Sequence, residues 1–144
     1  MMPQQNCNNS ISVLVLTYNQ QDCIVEALSS IVSQSLPPSE IVLSDDCSSD
    51  LTFDIASNYL SVASSSGLYS GCIKLRRNER NLGFIAHFNQ AVSECAGHLI
   101  VYNAGDDISC PERFELIYQE FLNRNCPKHF LAHSQVEVNG GGQD

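Results

Sequence analysis

Short apolar runs alternate along this chain with stretches of helical period, and no other feature restricts its fold as strongly. Ile11 to Leu16 (ISVLVL) is almost continuously apolar, as a strand covered on both faces must be. After polar TYNQQD, the residues Ile24, Leu28 and Ile31, widened by Val25 and Val32, recur at helical spacing until Pro37 and Pro38. Ile41 to Leu43 form a second short strand that runs into DDCSSD. A helix follows, with Leu51, Ile55, Ala56, Tyr59 and Leu60 on its face and Ser49 or Asp50 as N-cap. In CIKLRR, Ile73 and Leu75 alternate with polar neighbours, which predicts a half-exposed strand. Ile85, Phe88, Val92 and Cys95 make a third helical face, ended by Gly97, and Leu99 to Tyr102 form another buried strand. Ser109 and Glu112 have the spacing of a capping box around Pro111. The helix they open carries Phe114, Ile117, Tyr118, Phe121 and Leu122 on one side. Beyond Pro127, Phe130 to Val138 alternate as a fifth, half-buried strand.

The order β-α-β-α-β-α-β-α-β predicts an α/β fold, a doubly wound and mainly parallel sheet with helices on both faces. Ligands of such folds bind outside the carboxyl ends of the strands. With no internal repeat or linker, residues 11–144 read as one domain behind a disordered tail over 1–10. That tail, MMPQQNCNNS, is neither a secretion signal nor a transit peptide. No apolar run approaches the about 20 residues of a membrane span, so the chain reads as soluble and cytoplasmic. Seven Lys and Arg against sixteen Asp and Glu give a formal charge of −9, which argues against nucleic acid or an anionic membrane as the main partner. A phosphorylated ligand remains compatible with that charge where a divalent cation lies between the two. The seven cysteines are odd in number and include no C-x-x-C, so they read as small apolar fillers in a reducing compartment. His129 and His133 lie four apart on the fifth strand and lack the companions of a zinc site.

Three strands end in polar clusters: Thr17-Tyr18-Asn19, Asp45-Asp46, and Asn103-Ala104-Gly105-Asp106-Asp107. In a parallel sheet these ends share one edge, so the clusters are expected in one crevice. Four carboxylates gathered there repel one another, and the ordinary reason for keeping them is a hard divalent cation. Plainer roles exist for each cluster. Asp22 and Asp50 suit helix caps, Asp45-Asp46 suit a loop-to-helix junction, and Tyr18 suits a core-edge aromatic. Asp106-Asp107 resist that reading, because Ser109 already supplies the cap of the following helix.

The segments ISVLVLTYNQ, IVLSDDCSSD, NLGFIAHFNQAV and AGDDISCPERFEL, in this order over residues 11–125, resemble the donor half of the family 2 glycosyltransferases with the GT-A fold. The resemblance implies sugar transfer, normally with inversion, from a nucleotide-diphosphate sugar (a UDP-sugar is favoured) to a glycan or lipid-linked acceptor, helped by Mg2+ or Mn2+. It implies that Tyr18 lies against the nucleobase with Thr17 and Asn19 around it. Asp46 matches the acid that hydrogen-bonds the base, with Asp45 beside it, and Asn81, Gly83 and Asn89 match the stretch that shapes the donor pocket. Asp106 and Asp107 match the DxD-type element, which serves the ribose and the metal bridging the diphosphate. A role in polysaccharide synthesis, at the inner membrane surface, goes with such enzymes.

The sequence departs from that pattern in three places. A glycine is usual where Cys47 stands, so a strained turn is expected there, and Ala104 replaces the first acid of a D-x-D-D form. The family's acceptor half, with its catalytic base, normally follows where this chain stops after the fifth strand, and no residue here matches that base. A non-catalytic nucleotide-sugar-binding module or an inactive truncated remnant is the second reading; it would bind nucleotide diphosphate with metal and transfer nothing. A phospho-acceptor signalling domain shares the size, acidity and doubly wound sheet, but carries its acid pair after the first strand. The polar tail NGGGQD leaves an edge open to weak self-association.

Overall fold

The computed structural model describes residues 10–127 and residue 132. The elements are β1 (Ile11–Thr17), α1 (Ile24–Val32), β2 (Glu40–Asp45), α2 (Thr52–Ser65), β3 (Cys72–Arg77), α3 (Phe84–Val92), β4 (Leu99–Ala104) and α4 (Arg113–Asn123). Eight of the nine expected elements are therefore present in the expected order. The fifth strand, the His129–His133 pair and all but the last residue of the N-terminal tail lie outside the described residues.

All strand pairs are parallel and the sheet order is β3-β2-β1-β4. The chain winds outward from β1 to β3, and α3 then carries it across to the far side of β1. That reversal opens a crevice at the carboxyl ends of β1 and β4. In a phospho-acceptor sheet the first strand lies between the second and third. Here β3 lies outside β2, which removes that reading.

β1 shows why its sequence has no polar alternation. Ile11, Val13 and Val15 pack on one side with Ile24, Leu28, Ile31, Leu60 and Phe114. Leu14 and Leu16 pack on the other side with Ala91, Phe88 and Val92. Successive residues of a strand face opposite ways, so a strand with a helical layer on each face is apolar throughout. β3 is half-exposed as expected.

β4 departs from its reading as a fully buried strand, since Ile100 is 39% exposed. Among the described residues it is an edge, and α3 leaves part of one of its faces open. The stripe of α3 is also rotated from the expected one. Ile85 is 71% exposed, and the buried positions are His87 and Ala91. Phe84 and Phe88 turn toward Tyr102 instead, with ring centroids about 6 Å apart.

Two caps can be compared directly. The N-cap of α2 is Leu51, without a side-chain cap, and not Ser49 or Asp50; Asp50 stands one residue earlier, where its Oδ1 accepts from the Thr52 N–H at 2.9 Å in an Asx turn. The capping box at Ser109 does not form. Ser109 Oγ donates to Asn103 Oδ1 at 2.6 Å, and α4 begins at Arg113 without a side-chain cap at Glu112. The cysteines need a correction too: Cys23, Cys47, Cys72, Cys95 and Cys110 are free, but Cys126 is disulfide-bonded.

Cys47 takes φ +61°, the left-handed conformation that a Cβ disfavours. Cys47→Gly is expected to stabilise the fold by about 0.5–1 kcal/mol, the relief of strain being partly offset by a freer unfolded chain. Cys47→Ala keeps the strain and is expected to give no gain. Thermal melts of the three proteins check this, with a rise of about 3 °C expected for the glycine variant alone.

Candidate functional site

A cavity of about 370 Å³ lies at the carboxyl edge of the sheet, between the ends of β1 and β4 and beside the start of α3. Thr17 and Tyr18 from the first cluster, Asp46 from the second and Ala104 from the third all line it, together with Asn81 and Gly83. Asn19, Asp45, Asp106 and Asp107 do not.

The lip at Tyr18 is set by a clasp between two loops. Asn19 adopts φ +51° and turns the chain away from β1. Its N–H donates to Ser48 Oγ at 2.9 Å, and its Oδ1 accepts from the Ser49 N–H at 2.8 Å. The loops after β1 and β2 are thereby tied together. The Tyr18 ring is left 48% exposed at the cavity. A half-exposed aromatic side chain at a cavity is available to pack against a ligand.

The two acids after β2 have different roles. Asp45 is fully buried and its oxygens accept from Thr17 Oγ1 (3.0 Å), Ser48 Oγ (2.5 Å) and the Ser48 N–H (2.8 Å). Arg77 Nε lies 3.5 Å from it. Asp46 faces the cavity yet is also engaged. Its Oδ1 accepts from Asn78 Nδ2 and the Leu82 N–H, both at 2.8 Å, and its Oδ2 from the Gly83 N–H at 3.0 Å. Burial alone would raise the Asp46 pKa, but the hydrogen bonds from Leu82, Asn78 and Gly83, with His87 nearby, outweigh it and hold the carboxyl below its ordinary range. Glycine suits this position, because φ +78° is a conformation that a Cβ disfavours. Asn81 completes the loop, its Oδ1 accepting from the same N–H at 3.1 Å.

Asp106 and Asp107 follow Ala104 on an exposed loop. Asn103 shapes that loop: its Nδ2 donates to the Asp107 carbonyl at 2.9 Å, while its Oδ1 accepts from Ser109 and from Arg113 Nη1 at 3.1 Å. Neither acid carboxylate takes a hydrogen bond or ion pair from the described residues. Ala104, which lines the cavity, leads through Gly105 into the acid pair. Burial raises the Tyr102 pKa, and the charges of Asp107 and Asp106 raise it further.

The expected gathering of four carboxylates is thus not found. Among the described residues no three His, Cys, Asp or Glu side chains come together as a metal site. Asp45 and Asp46 are satisfied by protein donors, and only Asp106 and Asp107 are open. Two free carboxylates without a third protein ligand suit a divalent cation that completes its shell with phosphate oxygens and water, as Mg2+ commonly does.

Among the lining residues not singled out from sequence are Phe84 and three that carry polar groups, Gln20, His87 and Tyr102. Gln20 Oε1 is buried without a hydrogen-bond partner. His87 is 3% exposed and its Nε2 lies 2.7 Å from Ser44 Oγ. Burial lowers the His87 pKa and Arg76 adds to that, against the opposing charges of Asp46 and Asp45. The available signal was a histidine four residues before Ala91 on a helix that otherwise presents apolar side chains to the sheet.

A parallel sheet of order 3-2-1-4 with a cavity at its switch point defines a nucleotide-binding type of α/β domain. Glycosyl transferase family 2 matches residues 12–130, and the chain belongs to that family. EpsE of Bacillus subtilis, which carries a glycosyltransferase name, is 36% identical over 110 residues, covering 76% of this chain and 37% of EpsE. Residues 1–349 of Staphylococcus aureus TarS, solved in complex with UDP, share 28% identity at a TM-score of 0.65 over 80% of this chain and 32% of that one. The mannosyltransferase PcManGT of Pyrobaculum calidifontis, in complex with GDP-Man and Mn2+, shares 26% identity at a TM-score of 0.62, over 74% of this chain and 30% of that one. The chain spans less than half the length of each of these proteins.

The Asp46 clamp gives a stability prediction. Asp46→Asn turns an amide N–H₂ toward a backbone N–H that now donates to a carboxylate, and is expected to cost about 2–3 kcal/mol. Asp107→Asn, which breaks no hydrogen bond, is expected to cost nothing measurable. Because the folded-state pKa of Asp46 lies below the ordinary 3.8, its contribution is complete above 3.8 and is lost as pH falls through the lower folded value. Denaturant titrations at neutral pH and at pH values below 3.8 check both statements, since the gap between parent and D46N should narrow on acidification.

Proposed function

We propose that this chain is the donor-binding half of an inverting glycosyltransferase and holds a nucleotide-diphosphate sugar in the cavity. One observation carries the reading: the cavity at the switch point has a half-exposed aromatic residue, Tyr18, on one lip and an unpaired acid pair just beyond its lining residue Ala104. In this reading Tyr18 stacks on the nucleobase. Asp46 and Asn81 form the wall beside it, while Thr17, Asn19 and Asp45 fix the strand ends that carry them. Asp106 lies toward the ribose and shares with Asp107 the binding of Mg2+ or Mn2+. A divalent cation held there supplies charge neutralisation to the leaving diphosphate. UDP-sugars are the favoured donors, supported by the complexes of the similar TarS with UDP and UDP-GlcNAc. PcManGT, with GDP-Man and Mn2+, supports the metal.

We assign the catalytic base and the site for a glycan or lipid-linked acceptor to a part of the enzyme that this chain does not span. The cytoplasmic face of a membrane, in polysaccharide synthesis, is the setting this reading favours. Among the described residues no helix is long and apolar enough to cross a membrane.

Calorimetric titration of UDP and of pyrophosphate, each with and without Mn2+, tests the reading. Tyr18→Ala is expected to weaken UDP about 10- to 100-fold, the worth of one base–aromatic stack, and to leave pyrophosphate unchanged. Equal losses for the two ligands would make Tyr18 a support of the fold instead. Asp107→Asn is expected to abolish the metal-dependent part of binding for both ligands while the melting temperature holds. Binding without transfer, once the chain is joined to an acceptor half, would favour the non-catalytic module.

A further inference from the structure

The cavity has two chemically different ends, and one holds a polar group that the donor-site reading leaves without a task. β2 and β4 lie on opposite sides of β1. At the β4 end, Tyr102 lies on the strand that leads through Ala104 to Asp106 and Asp107, and at the β2 end His87 is bonded to Ser44 of β2. If the metal and diphosphate occupy the acid-pair end, the base is left at the His87 end.

Asp46 is poorly placed to be the sole reader of that base. Three protein donors already occupy its oxygens at 2.8–3.0 Å. His87 differs. Its Nε2 is committed to Ser44 Oγ at 2.7 Å, and this is the one hydrogen bond of its side chain among the described residues. Its Nδ1 takes none among the described residues, yet it is not among the buried unsatisfied atoms, so it keeps some accessible surface on a residue that lines the cavity. The ring itself is 3% exposed and held between α3 and the sheet, so Nδ1 is presented from a rigid support.

We propose that His87 is a specificity-determining residue of the donor site, whose Nδ1 hydrogen-bonds the polar edge of the nucleobase. This rests on the reading of the cavity as a nucleotide-sugar site. The Ser44 hydroxyl can donate to Nε2 or accept from it, so Nδ1 can meet either an acceptor or a donor on the base, and the bound base fixes the tautomer. Burial keeps the ring neutral at physiological pH, the state in which both options exist.

Two conservative variants separate the nitrogens. Glutamine in place of His87 carries its amide about as far out as Nε2, keeping the Ser44 bond and losing the group at Nδ1. Asparagine places its amide near Nδ1 and loses the Ser44 bond. The parent, H87Q and H87N are titrated with UDP, GDP and pyrophosphate in the presence of Mn2+, alongside thermal melts. For the nucleoside diphosphate that the parent binds, H87Q is expected to lose about five- to tenfold in affinity while its melting temperature and pyrophosphate binding hold. H87N is expected to melt lower and yet bind that nucleotide within about threefold of the parent. Unchanged nucleotide affinity in H87Q, or a loss that pyrophosphate shares, overturns the proposal and leaves the cavity reading standing. A parent that binds neither nucleoside diphosphate overturns the cavity reading and the role of His87 with it.

Discussion

The structure depends on a pair of adjacent carboxylates at the end of β2, each fully met by protein donors. Thr17, Asp45 and Arg77 are register partners across β1, β2 and β3, so Asp45 binds sideways along one row of the sheet. It also closes its own loop through Ser48, and Ser48 in turn takes the Asn19 N–H. Asp46, one residue on, holds the loop between β3 and α3. One acid levels the strand ends, and the other sets where α3 begins. The cavity is the space these two arrangements leave between them.

The sequence was most readable where local pattern and tertiary environment agree. β1 could be recognised from ISVLVL alone because helices cover both of its faces, so nothing polar was allowed along it. Thr17, Tyr18 and Asp46 line one cavity because parallel strands put their carboxyl ends on one edge, and Asn81, named from the family resemblance, lines it with them. Reading failed where a tertiary bond displaced a local one. Ser109 has capping-box spacing, but the Asn103 side chain, fixed by β4, takes its hydroxyl instead. Ile85 suited the α3 stripe by count, yet the register is set by the Asp46 clamp at Gly83 and by the packing of Phe84 and Phe88 on Tyr102. Asp45 and Asp46 could not be told apart in sequence. Only the pleat, which sends neighbours to opposite faces, seals one and turns the other to the cavity. His87 was hidden for a related reason: a histidine on an apolar face is ordinarily a satisfied core residue, and only the structure shows that one nitrogen has no protein partner.

The distribution of charge explains how so acidic a chain, −9 in formal charge, can present a site suited to a diphosphate. If all four acids faced the cavity unpaired, their mutual repulsion would raise their pKa values and oppose an anionic ligand. The fold avoids this by treating the pairs differently. The charge of Asp45 is met by Arg77 and that of Asp46 by two backbone N–H groups and an amide, so both are electrostatically quenched before any ligand arrives. Asp106 and Asp107 alone stay open, held out on a loop whose shape Asn103 and Arg113 maintain. Anion repulsion is thereby confined to the place where a cation can reverse it. On the proposed reading, the Tyr18 ring and the His87 imidazole suit a base, and the two free carboxylates beyond Ala104 suit a metal-bound phosphate.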